Sequence, residues 1–286
     1  MVALASPAAA LGAANPIRVT VAARAIHPGE LVVLTVTTPK NVDRVRVRAF
    51  ARDQPAFSVG QRTWRALVGI DLDVAPHVYH VSIDAHSAAA VLHATQELDV
   101  GPHNFPTRTL NVDEAYVNPP ADLQARIERE AADLRRVWRS SASDRLWTAL
   151  FVRPVPGASV SRFGTRSIFN GQARNPHSGA DFMSPAGTPI QAPNAGRVAL
   201  ARDLYFSGNT IVIDHGLGMF SLLAHLSAFD VREGDMVAVG QVVGRVGATG
   251  RVTGPHLHWA VRVAEARIDP LALLALLGEP GAGSRP

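Results

Sequence analysis

The sequence contains no cysteine and, among its 286 residues, a single lysine, Lys40. The first absence excludes disulfide bridges and zinc sites built from thiolates. Because Lys40 is the only lysine, arginine carries nearly all of the positive charge behind the formal net charge of +4. That mild basicity favours anionic surfaces as partners. No basic run has interleaved aromatic residues, so we expect no nucleic-acid partner.

The sequence also lacks an apolar run long enough to span a bilayer. Residues 2–14 are mostly small and apolar, like the apolar region and cleavage zone of a secretory signal, but no Arg or Lys precedes them. We interpret residues 1–15 as a truncated signal segment. Leu271 to Leu277 predicts a short terminal helix that packs on the core, and 278–286 predicts a disordered tail. We expect no membrane span.

Length and alternation predict a mainly β protein with two domains. Residues 16–105 alternate apolar with polar positions, as in 44–50, and predict an immunoglobulin-like β-sandwich. Its histidines have no ligand-like motif with a carboxylate, so we interpret them as solvated side chains, and they are His27, His77, His80, His86, His93 and His103.

A linker at 106–154 separates the two β regions, and Pro119-Pro120 opens a helix predicted over 120–139. Leu123, Ile127, Leu134 and Trp138 form an apolar stripe at helical spacing. The stripe predicts packing on a β domain. One hypothesis is that this helix or the N-terminal domain controls access to the second domain.

Glycine punctuates short β-branched runs throughout 155–277, which predicts an antiparallel β-sheet domain. No glycine cluster lies between a strand and a helix that opens with Lys and Ser or Thr, so we expect no nucleotide cofactor.

Histidine and aspartate motifs in this second domain predict a metal site. His256 and His258 are two positions apart in a predicted strand and would project to one face. His177 and Asp181 add an imidazole and a carboxylate. Catalytic zinc keeps three such ligands and leaves one position open for water. The three ligands would be His177, Asp181 and one histidine of the pair. The other histidine, with His225, is then available for proton transfer or oxyanion stabilisation.

The residues around these motifs match the lysostaphin/LytM-type zinc metallopeptidases in order and spacing over about 155–275. The resemblance lies in 161–164, 169–171, 177–182, 185–189, 208–209, 214–216, 224–227 and 250–259.

This resemblance implies a grooved antiparallel sheet, a Zn²⁺ cofactor and hydrolysis of peptide bonds in bacterial peptidoglycan. It makes His177, Asp181 and His258 the metal ligands, and His225 and His256 the catalytic pair. His215 matches a position that the family does not use as a ligand, so we interpret it as structural. Members commonly have an aromatic residue where this chain has Leu223, which puts the groove shape in question.

The resemblance leads us to expect a zinc-dependent endopeptidase that cuts peptidoglycan cross-links and is exported, in the periplasm or at the cell wall. Every metal and catalytic position holds the matching residue type, which favours activity. Two alternatives stay open: a non-hydrolytic wall-binding protein or activator of a cell-wall amidase, and a zinc peptidase that acts on a protein. The sequence specifies neither the bond that is cut nor the oligomeric state.

Overall fold

The computed structural model describes residues 16–278 except 112, 113, 115, 116, 158, 161 and 162. About 49% of the described residues are in strands and 11% are in helices, so the prediction of a mainly β protein is confirmed. The predicted signal segment at 1–15, the tail beyond Gly278, and two motif positions, Ser161 and Arg162, lie outside the described residues.

Two four-stranded antiparallel sheets form the N-terminal domain, in the orders β1-β2-β6-β5 and β4-β3-β7-β8. Strand β3 shows why they pack together: its arginines are exposed, whereas Val45, Val47 and Ala49 are buried in the core between the sheets. The strands are β1 (Arg18–Ala23), β2 (Leu31–Thr37), β3 (Arg44–Ala49), β4 (Arg52–Gln54), β5 (Ala56–Gly60), β6 (Thr63–Gly69), β7 (His77–Ser87) and β8 (Ala90–Val100).

A ten-stranded sheet forms the C-terminal domain, with the central order β10-β13-β20-β17-β16-β15-β18. Strand β19 joins β14 to β17, and β21 pairs with β20. The elements are β10 (Ser159–Val160), β13 (Gly179–Phe182), β14 (Pro189–Gln191), β15 (Gly196–Leu204), β16 (Gly208–Gly216), β17 (Met219–Phe229), β18 (Met236–Val237), β19 (Val242–Val246), β20 (Leu257–Val263), β21 (Ala266–Ile268) and α2 (Pro270–Leu277).

The segment between the two β regions packs against the C-terminal domain. Strand β9 (Thr107–Leu110) pairs in parallel with β11 (Arg166–Phe169), which forms a hairpin with β12 (Gln172–Ala173). Helix α1 (Ala121–Arg139) lays Leu134, Val137 and Trp138 on a cluster that includes Leu200 and Phe220. The predicted linker is thus packed along much of its length.

No helix among the described residues is long and apolar enough to cross a membrane.

The two domains share an interface of apolar and charged contacts. Leu31, Val33 and Leu67 of the sandwich belong to the same buried cluster as helix α2. Asp269 caps α2 by accepting a hydrogen bond from Leu271 N at 3.0 Å, and its other oxygen accepts one from Arg24 Nη2 at 2.8 Å. One carboxylate therefore holds both the helix terminus and the sandwich.

His215 on β16 is fully buried and serves the fold. Its Nδ1 donates to Ala195 O at 2.8 Å, and its Nε2 accepts from Ser221 Oγ at 2.9 Å, which describes a neutral imidazole. Burial lowers the pKa of His215 to about 4. This environment agrees with the interpretation of His215 as structural.

We expect Asp269→Ala to lower the free energy of unfolding by about 2 kcal/mol, because it removes a helix cap and leaves Arg24 without one of its two carboxylates. Urea denaturation measures the change. Asp73→Ala is the matched control: its carboxylate also pairs across the interface, with Arg267, but is largely exposed, so we expect about 0.5 kcal/mol. Equal losses would contradict the dual role of Asp269.

We expect His215 to make the protein less stable in acid. The unfolded chain binds a proton near pH 6.5 and the folded chain only near pH 4, so stability falls as the pH drops through that window. At pH 4 the loss from this group is about 3 kcal/mol. Unfolding of the metal-free protein from pH 7 to pH 4 should show a smaller loss for His215→Gln, and parallel curves would refute the assignment.

Candidate metal centre

The pairing of β13 with β20 brings an aspartate and a histidine together. In this antiparallel pair Asp181 lies directly opposite His258. The alternate residues Phe182 and Trp259 point to the other face and are fully buried in the core. Because side chains alternate along a strand, packing that face turns Asp181 and His258 toward the opposite, partly open side of the sheet.

His177 completes the group from the loop before β13. Its backbone N donates to Thr165 O at 3.0 Å, and its own carbonyl accepts from Gly164 N at 2.7 Å. These two bonds fix the loop against the turn that follows β10. The loop thereby brings the imidazole of His177 to Asp181.

The three side chains meet at one carboxylate oxygen. Asp181 Oδ1 lies 3.1 Å from His177 Nε2 and 3.0 Å from His258 Nδ1. One ligand atom from each residue lies within 4.8 Å of the others, and among the described residues no other group of three His, Cys, Asp or Glu side chains has this geometry. The predicted ligands His177, Asp181 and His258 are thus adjacent in space.

Electrostatics at the cluster favour an ionised Asp181 and a neutral His258. Burial alone would raise the pKa of Asp181, but hydrogen bonds from His177 and His258 hold it well below its usual range. Burial lowers the pKa of His258, opposed by its bond to Asp181. Ionised Asp and neutral His are the forms that bind metal.

Two observations indicate that the donor set fits zinc. The buried Nδ1 of His177 has no hydrogen-bond partner, an uncommon state for an interior polar atom. At Gly179 a Cβ atom would lie 2.7 Å from the His258 ring, so glycine leaves the space that the imidazole occupies. Two imidazoles and one carboxylate also match a catalytic zinc site with one open position.

A β-bulge carries His225 to the same side of the sheet. Leu223 and Leu226 are both buried in the core, so both residues between them face away from it. His225 accordingly has a φ of 68°, in the left-handed region that non-glycine residues rarely occupy. Its backbone N donates to Ser207 O at 2.9 Å, which helps to hold the strained conformation.

His225 and His256 form a pair beside the cluster. Their ring centroids are 4.9 Å apart, and that of His225 is 6.0 Å from that of His258. Each Nδ1 bonds to a backbone carbonyl, Thr249 O for His225 at 3.0 Å and Gly254 O for His256 at 2.9 Å. A carbonyl only accepts, so both rings carry the proton on Nδ1 and keep Nε2 for another group. His256 Nε2 lies 3.8 Å from Asp181 Oδ1.

Burial, reinforced by the nearby imidazole of His258, lowers the pKa of His225 to about 4. The ring is therefore neutral near pH 7, and its unprotonated nitrogen can accept a hydrogen bond.

The structure also locates the residues that the sequence left in question. Leu223 has no exposed surface and lies in the core on the far side of the sheet, so it does not line the site. His93 and His80 of the sandwich are exposed and lie near Asp84 and Glu97, respectively.

Sequence reasoning missed the groups that orient the catalytic imidazoles, because they are the backbone carbonyls of Thr249 and Gly254 and any residue type supplies one. The only signal was the pair of glycines in 250–254, which marks a turn.

Comparison with known proteins identifies relatives of this domain. The model of peptidase family M23 matches residues 175–270. DD-carboxypeptidase/endopeptidase Mpg of Neisseria meningitidis is 41% identical over 97 residues, which are 34% of this chain and 22% of Mpg. Peptidoglycan DD-endopeptidase ShyA of Vibrio cholerae is 44% identical over 88 residues, 31% of this chain and 20% of ShyA. The chain thus matches about a fifth of the length of these curated relatives.

One solved structure matches nearly the whole chain. It is a Pseudomonas aeruginosa protein described as a peptidase M23, and it superposes with a TM-score of 0.70 and 34% sequence identity. The superposition covers 90% of this chain and 97% of that one, so it includes the sandwich as well as the metal cluster. With this identity over almost the full length of a relative, the chain belongs to peptidase family M23.

Proposed function

We propose that this protein is a zinc-dependent endopeptidase that hydrolyses peptide cross-links of bacterial peptidoglycan. The observation that carries the proposal is the group of His177, Asp181 and His258, with the His225–His256 pair beside it. Three protein ligands with one open position are the arrangement of catalytic zinc, and the two further imidazoles can transfer protons. The name of ShyA, a peptidoglycan DD-endopeptidase, supplies the substrate class.

His177, Asp181 and His258 would hold the zinc ion. Zinc supplies Lewis acidity, which makes water nucleophilic near neutral pH and polarises a carbonyl group. The partial burial of these three side chains limits the access of bulk water, and low dielectric strengthens their interaction with a cation.

His225 and His256 would manage protons and developing charge. Each ring keeps Nε2 for another group, because its Nδ1 donates to a backbone carbonyl. The pair takes the proton of the attacking water at Nε2. The resulting N–H then donates to the oxyanion of the tetrahedral intermediate and returns the proton to the leaving amine.

Peptidoglycan lies outside the cytoplasmic membrane, so the proposed substrate places the protein in the periplasm or at the cell wall. The basic composition agrees with an anionic environment of that kind.

We expect variants of the two residue groups to separate metal binding from catalysis. Asp181→Ala should lose both zinc and activity, because Asp181 joins the other two ligands. His256→Ala should retain zinc but release fragments from purified sacculi about 100-fold more slowly or worse, the usual effect of removing a general acid or base. Mass spectrometry of the fragments identifies the bond, and metal analysis gives the zinc content.

His80→Ala is the control, since this histidine is exposed on the sandwich and should change neither zinc content nor rate. A zinc-loaded wild type that releases no fragment would contradict the proposal and favour a wall-binding regulator. Unchanged activity in His256→Ala would remove His256 from the mechanism.

A further inference from the structure

Helix α1 lies on the same side of the C-terminal sheet as the candidate metal centre. Its apolar residues pack on Phe220 of β17. Phe220 and Leu223 are three positions apart in this strand, so their side chains point to opposite faces. His225 also faces away from the core that buries Leu223. The helix and His225 therefore share a side of the sheet.

Glu130 joins the helix to the turn that follows β15. Its Oε2 accepts a hydrogen bond from Tyr205 N at 2.8 Å, and its Oε1 accepts one from Arg126 Nε. Arg126 also donates through Nη2 to Asp203, near the end of β15, at 2.8 Å. Only 16% of the Glu130 side chain is exposed. Because both of its oxygens are engaged, this carboxylate holds the start of the turn against the helix.

The turn, residues 205–207, holds the backbone of His225. Ser207 O accepts a hydrogen bond from His225 N at 2.9 Å. The register of β16 against β17 shifts beside His225, so Ser207 supplies the acceptor there in place of a residue of the strand ladder. His225 has a φ of 68°, a conformation that persists only where the surrounding structure enforces it. The carbonyl of Ser207 is one of the contacts that enforce it.

The same segment also supports the residue that orients the His225 ring. Thr249 O accepts from His225 Nδ1 at 3.0 Å. Thr249 is held by Asn209, whose backbone N donates to Thr249 Oγ1 at 2.9 Å. It is also held by the close approach of Gly208, where a Cβ atom would lie 2.3 Å from the carbonyl carbon of Thr249. Backbone and ring of His225 thus both depend on the segment that begins at Tyr205.

We propose that Glu130 is a positioning residue that holds His225 in its catalytic orientation through the turn at 205–207. Loss of the carboxylate frees Tyr205 N, so the turn relaxes and His225 can leave the strained conformation. The catalytic role of His225 rests on the proposed function, whereas the connection from Glu130 to His225 rests on the contacts alone. The apolar packing of α1 on Phe220 does not involve Glu130 and remains when Glu130 is replaced.

The first test measures kinetics of the zinc-loaded protein with a soluble cross-linked muropeptide. In Glu130→Ala we expect kcat to fall by about 10-fold to 100-fold, the effect of a misplaced catalytic group, with KM and zinc content nearly unchanged. Glu130→Gln keeps an oxygen that accepts from Tyr205 N and should restore most of the rate. Asp133→Ala is the matched control: Asp133 also joins α1 to β15, but its described bonds go to Arg202 and Arg136 and not to the turn. It should keep the kcat of the wild type.

The second test follows His225 itself and does not need the reaction. In the zinc-loaded protein the Nδ1 proton that His225 donates to Thr249 O should give an NMR signal protected from exchange with water, identified by its loss in His225→Gln. We expect this protection to fall by about 10-fold in Glu130→Ala, because the segment that holds both partners opens more often. Asp133→Ala should keep it.

The two readouts separate the possible failures. With an active wild type, an unchanged kcat or an unchanged His225 signal in Glu130→Ala overturns the proposal. Loss of zinc in Glu130→Ala, or an equal effect in Asp133→Ala, also overturns it, because the change is then a general loosening of the structure. A wild type that holds zinc and cleaves nothing overturns the proposed function, whereas loss of His225 protection in Glu130→Ala alone still supports the positioning role.

Discussion

The antiparallel register of β13 and β20 is the constraint on which the site depends. It sets Asp181 opposite His258, and a slip of one residue would turn every side chain of β13 to the other face. The packing of Phe182 and Trp259 in the core makes such a slip costly. Hydrophobic burial on one face thereby positions a carboxylate and an imidazole on the other. His177 then needs only a short loop to reach them.

In contrast to the regularly paired Asp181 and His258, His225 has a strained backbone conformation. A strand in strict alternation would place His225 on the same face as Leu223, inside the core. The bulge and the φ of 68° turn it to the metal side instead, at an energetic cost of order 1–3 kcal/mol. Backbone bonds to Ser207 and Thr249 hold the ring in place. The unfavourable conformation occurs at a residue with a proposed chemical role.

The sequence predicts more about the chemistry of the site than about the strand geometry that positions it. Spacing of two in a strand predicted that His256 and His258 share a side, because alternation is a local rule. The bulge depends on partners in β16 and could not be derived from the residues near His225. The family resemblance puts the groove shape in question at Leu223, but this residue has no exposed surface and lies in the core. The anchoring carbonyls have no residue-type signature.

The division of the chain into a sandwich, a linker and a peptidase domain also underestimates how the parts depend on one another. Trp147 and Phe151, from the predicted linker, and Leu31, from the sandwich, are buried in the same cluster as Trp259. Strand β9 forms one edge of the three-stranded sheet that contains the β11–β12 hairpin. The core that fixes the register of β20 therefore draws on all three parts, and the geometry of the metal centre is a property of the whole chain and not of the matched family segment alone.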